Sequence, residues 1–269
     1  MLRINQSSRP MNRTSSLLLC TTLLMGIIPS LSFAEGSNES FRLDGRLVLN
    51  SYEAMVEQHL IGVLNGLKAL AVTEEAMSGN WERLKPSLEQ FSKSVTTNAA
   101  IWFARPDGSY FTVEKGLTNQ NIMDRDYFSE LMHGRDVNGT LVVSRSTGKR
   151  VTVVAAPIIK GGKVTGVLGA SVSATKLAKL VDDEINPPDD VIFYALDAHG
   201  LTALHKDTSL IFQFPSDIGD ESLKSAVLKM LSEPEGTVRY TFRGMDRVVV
   251  FKKSNITGWI FVLGITHAL

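Results

Sequence analysis

The sequence predicts an α+β protein, with one long N-terminal helix followed by two modules, each an antiparallel sheet with helices on its faces. Three observations carry this expectation. Apolar residues recur at steps of three and four between Leu47 and Met77, the period of an amphipathic helix. Beyond residue 98 the pattern changes to short β-branched and aromatic runs separated by turns, and the order strand, turn, strand, helix, three strands occurs twice. Finally, Gly108, Gly139, Gly148 and Gly169 are matched by Gly200, Gly236, Gly244 and Gly264 at offsets of 92, 97, 96 and 95, as two copies of one unit require.

The first 34 residues stand apart. Arg3, Arg9 and Arg13 precede an apolar run from Leu17 to Ile28 that is twelve residues long. A membrane-spanning helix needs about 20. Pro29 breaks the run, and Ser32-Phe33-Ala34 places small residues where a signal peptidase reads, so cleavage is expected after Ala34 and export to the periplasm follows. An uncleaved N-terminal membrane anchor is the alternative. Cys20, the only cysteine, lies inside this run behind Leu19, which excludes a lipidation site and leaves the mature chain without disulfides.

The chain as a whole, 43% hydrophobic and 21% charged, has the composition of ordinary globular protein. The whole chain's formal net charge is zero, and removing the three N-terminal arginines leaves 25 basic against 28 acidic residues, so nothing global points to nucleic acid. A helical region is expected over residues 35–98, with one helix from Leu47 to Met77 and a second from Trp81 to Val95. The first module, residues 99–185, opens with a hairpin around Pro106-Asp107-Gly108. Asp124 is placed to cap a short helix running to Met132. The strands "GTLVVS", "KRVTVVAAPII" and "KVTGVLGASVS" and a helix from Ala174 to Ile185 complete it. Residues 186–190, "NPPDD", form a linker because two prolines cannot continue a helix. The second, smaller module spans 191–266, with Asp220 near the start of its helix.

A long helix leading into two such modules resembles the double Cache sensor domains, the PAS-like extracytoplasmic domains of bacterial receptors. The residues carrying the resemblance are "DRDYF" at 124–128, "STGKRVTVVAAPI" at 146–158, "GVLGASVSATKLAKLV" at 166–181, "LDAHGLTALH" at 196–205 and "GWIFVLGI" at 258–265. The resemblance implies two PAS-like modules and a ligand pocket in the first, membrane-distal one, lined by the segment containing Arg125, Tyr127 and Phe128. Amino-acid-binding members are similar at Arg125 but carry tryptophan at Tyr127, tyrosine at Phe128 and at Gln120, and an aspartate near Ser171 for the ligand's ammonium group. The resemblance therefore implies a small-molecule ligand held by its carboxylate, an organic acid in preference to an amino acid. It also implies a membrane receptor, kinase or cyclase as signalling partner. The last residues, "GITHAL", follow the final strand directly, which leads to the expectation of a stand-alone periplasmic sensor.

The residues support a binding reading. An arginine can pair two parallel N–H groups with a carboxylate. Its alternative fate is a surface pair with Asp124 or Asp126. An aromatic such as Tyr127 beside a guanidinium stacks on it and excludes water. Phe128 fits a core position equally well. Trp102 faces opposite to Ile101 and Phe103 on its strand and serves as pocket wall or core. Ser144, with Ser146 and Thr147, surrounds a turn where pocket hydroxyls and turn chemistry both fit. The expected ligand-binding set is thus Arg125, Tyr127, Trp102, Asp124, Phe128, Ser144 and Ser171. No enzyme, metal or cofactor is expected. His59, His133, His199, His205 and His267 have no metal-ligand spacing, "KGGK" at 160–163 is a hairpin turn and not a phosphate loop, and no Gly-x-Ser-x-Gly elbow occurs. A periplasmic interaction module without a ligand is the alternative function.

Overall fold

A computed structural model describes residues 44–268, so the expected signal peptide lies outside the described residues. Helix α1 (Gly45–Ala71) is capped by Asp44, whose carboxylate accepts the Arg46 N–H at 2.8 Å. Leu49, Tyr52, Val56, Leu60, Val63, Leu67 and Ala71 form its buried stripe. The helix ends six residues before the expected Met77. Thr73 is the reason: its hydroxyl donates to the Leu70 carbonyl at 2.9 Å and accepts the Ala76 N–H at 3.3 Å, starting the separate short helix α2 (Glu74–Met77). Asn80 then caps α3 (Trp81–Ser94).

The first sheet contains β1 (Asn98–Ala104), β2 (Ser109–Thr112), β3 (Gly116–Asn121), β4 (Val137–Val143), β5 (Arg150–Lys160) and β6 (Lys163–Ser173) in the order β3-β2-β1-β6-β5-β4. Helix α4 (Asp126–Met132) lies between β3 and β4, and α5 (Ala174–Ile185) follows β6. The second sheet contains β7 (Val191–Leu196), β8 (Thr202–His205), β9 (Glu235–Phe242), β10 (Met245–Lys253) and β11 (Ile260–Ala268) in the order β8-β7-β11-β10-β9. Between β8 and β9 lie a 3-10 turn, α6 (Pro215–Ile218) and α7 (Glu221–Ser232), the last capped by Asp220. Without β3 the two strand orders are the same. The glycine pairs fall at equivalent places: Gly108 and Gly200 turn the first hairpin of each sheet with φ of 77° and 84°, and Gly148 and Gly244 turn the later one with φ of 68° and 74°. Those backbone angles favour glycine.

Each sheet has two buried faces. On β1, Ile101 and Phe103 join the core built on α1, whereas Trp102 and Ala104 join a second cluster with Tyr127, Phe128 and Leu131. On the second sheet, Phe193 and Phe261 face α1, and Tyr194, Tyr240 and Val262 face away from it, toward α7. Tyr52 of α1 packs its ring 4.9 Å from Phe193 and 5.3 Å from Phe261. One continuous core thus serves both modules, so the 186–190 segment separates two sheets and not two cores. Asn186, in the left-handed conformation at φ 44°, closes α5 before the two prolines.

Polar contacts fasten the second module to the rest. Lys252 donates to Glu53 at 2.8 Å, and Ser254 donates to Glu57. Burial pushes the Glu57 carboxyl above its usual value. Trp259, fully buried, donates its indole N–H to the Gly139 carbonyl of β4 at 2.8 Å, so it sits at the junction of the modules and not only in the second. Substituting Trp259→Phe leaves that buried carbonyl without its donor. Chemical denaturation should show a loss of about 1–3 kcal/mol, and a change below about 0.5 kcal/mol would remove the junction from this account.

A cavity beneath Arg125

The outward face of the first sheet supplies the candidate site, an open cavity whose free space is about 340 Å³ with the solvent at its mouth included. Trp102 on β1 and Tyr110 on β2 form one wall, Val153 on β5 and Ser171 on β6 the floor, and the end of β4 with Ser144 the opposite side. Trp102 lies across Gly169, its register partner on β6, because a Cβ there would overlap the indole ring. The cavity therefore depends on a residue without a side chain.

Arg125 enters from the segment before α4. Its backbone is extended at the N-cap position, with φ −86° and ψ 131°, and makes no side-chain cap. The side chain is half-buried, lines the cavity and donates from Nη2 to the Val143 carbonyl at 3.1 Å. Among the described residues it has no ion pair. The alternative fate, a surface pair with Asp124 or Asp126, does not occur among the described residues: Arg145 takes Asp124 instead. Arg145 makes two parallel bonds to the Asp124 carboxylate, each 2.7 Å, and also reaches the Asn121 carbonyl. That fork holds the Asp124 carboxyl below its usual value. Asp124 is thus neither the helix cap nor a cavity-lining group: it is exposed, and its acceptor oxygens are occupied.

Tyr127 is buried in the first turn of α4 and presents its ring to the cavity. Burial pushes its phenol up to about 12, so it remains an O–H donor at neutral pH. Phe128, the next residue, is only 3% exposed and packs in the same cluster, with Leu131 and Val137. It fills core and does not line the cavity. Ser144 does both things the sequence allowed: its hydroxyl accepts the Thr147 N–H at 3.3 Å within the turn, and it lines the cavity 3.3 Å from the Ser146 hydroxyl. Lys115 closes over this corner by donating to the Ser146 carbonyl.

Five of the seven expected residues thus converge: Arg125, Tyr127, Trp102, Ser144 and Ser171. Sequence reasoning missed Tyr110 and Arg145 as lining residues, and it named Ser146 among the turn hydroxyls without including it in the expected set. Tyr110 was within reach, since the Asp107-Gly108 turn sets it directly opposite Ala104, on the face of Trp102. Arg145 carried no local signal, because its partner lies 21 residues away. No Asp or Glu is among the lining residues, and the described residues hold no cluster of three or more metal-ligating acids, histidines or cysteines.

The Cache domain family model matches residues 37–268. Among curated proteins, none matches the sequence. Solved structures share the fold. The ligand-binding domain of the Pseudomonas aeruginosa PAO1 amino acid chemoreceptor PctB, in complex with L-Arg, aligns with a TM-score of 0.64 at 17% identity, over 81% of this chain and 91% of that one. The sensory domain of the Campylobacter jejuni chemoreceptor Tlp3, with isoleucine bound, aligns at 0.60 and 17% identity over 83% and 91%. The extracellular domain of a protein described as a histidine kinase aligns at 0.64 and 15% identity over 81% and 92%.

The dependence of the cavity wall on Gly169 is open to a double-mutant cycle. Gly169→Ala should destabilise the wild type by about 1–3 kcal/mol through overpacking against Trp102. In a Trp102→Ala background the same change should cost much less. Equal losses in both backgrounds, read by urea denaturation, would mean that the two residues are not coupled.

Proposed function

The chain belongs to the Cache-domain family of extracytoplasmic sensory ligand-binding modules, and we propose that it binds a small carboxylate on Arg125 in the first module and passes the bound state to a signalling partner. The observation that carries the reading is an arginine half-buried in a cavity with no ion pair among the described residues, while the neighbouring Asp124 is held by a different arginine. A guanidinium so placed retains N–H donors for an incoming anion. Each charge-assisted bond contributes about 1.5–3 kcal/mol when shielded. Micromolar affinity corresponds to about −8 kcal/mol. Two such bonds and the Trp102, Tyr110 and Tyr127 walls are of the right order.

The chemistry of the rest of the cavity narrows the class. Ser144, Ser146 and Ser171 offer hydroxyls, which suits an acid bearing further oxygen atoms. The ligands named for the two chemoreceptor neighbours, L-Arg and isoleucine, both carry a carboxylate, in keeping with an arginine anchor. Their ammonium groups would meet no acidic side chain in this cavity, so an amino group is not part of the required ligand. Output follows from α1, which packs against β5 and β6 of the first sheet and β10 and β11 of the second. A shift in the first module is thereby transmitted to the second, and from there to a membrane receptor, kinase or cyclase. No described helix is long and apolar enough to cross a membrane. The signal-like run before Ala34 supports release into the periplasm.

Two measurements test this reading. Mass spectrometry of the exported protein should find Glu35 at the N-terminus, and an intact Met1 or Met11 terminus in the membrane fraction would contradict release. A thermal-shift screen over organic acids, amino acids and polyamines should give a carboxylate hit, with stabilisation of about 2.7 kcal/mol at a hundredfold excess over Kd. Arg125→Ala should leave the unliganded melting point nearly unchanged and weaken that ligand by about 2–5 kcal/mol. Shifts from polyamines alone, or a carboxylate bound equally well by the variant, would overturn the assignment.

A further inference from the structure

The second module holds an open cavity of its own, about 330 Å³ with the solvent at its mouth included, on the sheet face turned away from α1. Its position repeats that of the first. The hairpin offset of 92 carries Trp102 onto Tyr194 and Tyr110 onto Thr202, and the later offset of 96 carries Ser144 onto Tyr240 and Ser146 onto Phe242. All eight of these residues line their respective cavities. Four matched pairs make the second cavity a structural copy of the first, with its chemistry rewritten.

The rewriting is specific. Arg247 on β10 lines the cavity, and its Nε is buried without a hydrogen-bond partner among the described residues. The acids around it are engaged elsewhere. Asp246 accepts from Arg239 at 2.7 to 3.0 Å, and Asp207 accepts from Arg243 at 3.2 Å. Arg247 lies over the Phe242 ring at 4.9 Å, so the cavity's one lining cation stacks on one of its aromatic walls, while Arg243, 5.1 Å from the same ring, stays outside the lining. His205 adds a donor. Its Nδ1 accepts the Asp207 N–H at 2.8 Å, which leaves the proton of the neutral ring on Nε2. Burial, with the nearby Arg247, pushes this imidazole down to about 4, so it is neutral at pH 7. The Tyr194 and Tyr240 hydroxyls stand 3.1 Å apart beside it. Opposite this polar end, Leu210, Pro215, Ile218 and Leu223 supply an aliphatic wall, and no Asp or Glu is among the lining residues.

We propose that this cavity is a second binding site, for a short-chain aliphatic monocarboxylate whose carboxylate meets Arg247 and whose hydrocarbon end lies on the Leu210, Ile218 and Leu223 wall. An uncompensated buried N–H donor is costly unless an acceptor completes it. The aliphatic wall in turn disfavours inorganic oxyanions and dicarboxylates, which would leave charge against hydrocarbon. The two sites would thus read different acids, a polar one in the first module and an apolar one in the second.

Titrating the full-length mature protein with butyrate, followed by melting temperature and calorimetry, tests the proposal with sodium phosphate and succinate as comparison anions. Butyrate should bind the wild type and Arg125→Ala alike. Arg247→Lys and Ile218→Trp should each weaken it at least tenfold, the first by losing the forked donor and the second by filling the aliphatic end. Ile218 is at the mouth and 42% exposed, so its replacement keeps the test decisive if the Arg247 variant fails to fold. Absence of butyrate binding, or phosphate or succinate binding more tightly than butyrate, overturns the proposal. So does butyrate binding that Arg125→Ala abolishes while Ile218→Trp leaves it intact, which would place the acid in the first cavity and leave that reading standing.

Discussion

The rest of the structure depends on one constraint: a single helix serves as the inner wall for two sheets. Twenty-seven residues of α1 span about 40 Å, enough to underlie both modules. Its apolar stripe takes one face of each sheet, as the contact of Tyr52 with Phe193 and Phe261 illustrates for the second. Burial of each large apolar side chain in this shared core contributes about 1.5–3 kcal/mol. Because the inner faces are committed to α1, a cavity built on either sheet lies on its outer face. Strand alternation then decides which side chains reach it: Ile101 and Phe103 go to the helix, and Trp102 to the cavity.

On the outer face of the first module, the outcome turns on how charge is partitioned. Three charged residues in a row, Asp124-Arg125-Asp126, would neutralise one another in an isolated segment. Here Arg145, across the cavity mouth, takes the Asp124 carboxylate in a bidentate fork and leaves Arg125 with only a backbone carbonyl at 3.1 Å. The pair is exposed, so its contribution to stability is small. Its consequence is availability: of the two guanidiniums that line the cavity, one is taken by a carboxylate and the other is not. The second module partitions charge by the same logic, with Arg239 on Asp246 and Arg243 on Asp207, so that Arg247 has no carboxylate partner and its buried Nε has no acceptor among the described residues.

Much of this was legible in the sequence. The three-and-four spacing of Leu60, Val63, Leu64 and Leu67 located α1, and the glycine offsets revealed the repeat, because a turn with positive φ leaves a residue-type signature. The helix from Ala174 to Ile185 was read to the residue. What escaped has physical reasons. Strand β3, "GLTNQN", is a polar edge strand without alternating apolar residues, so its pairing to β2 is decided by the sheet and not by its own pattern. The early end of α1 follows from a threonine whose hydroxyl competes for backbone groups, a local choice that periodicity does not register. Five of the seven expected site residues converge because the DRDYF segment and the strands place them. Asp124 does not, because its ion-pair partner lies far along the chain, and Phe128 takes the core position that the sequence had left equally open.

The central claim is that Arg125 is the anchor of the first cavity, and the most direct test is a crystal structure of the protein with its most stabilising carboxylate. The account predicts a carboxylate within about 2.7–3.1 Å of the Arg125 guanidinium, its body against Trp102, Tyr110 and Tyr127, and the Asp124–Arg145 fork intact. A ligand bound in the first module with its carboxylate on Arg145, and Arg125 turned away to pair with Asp124, would contradict it.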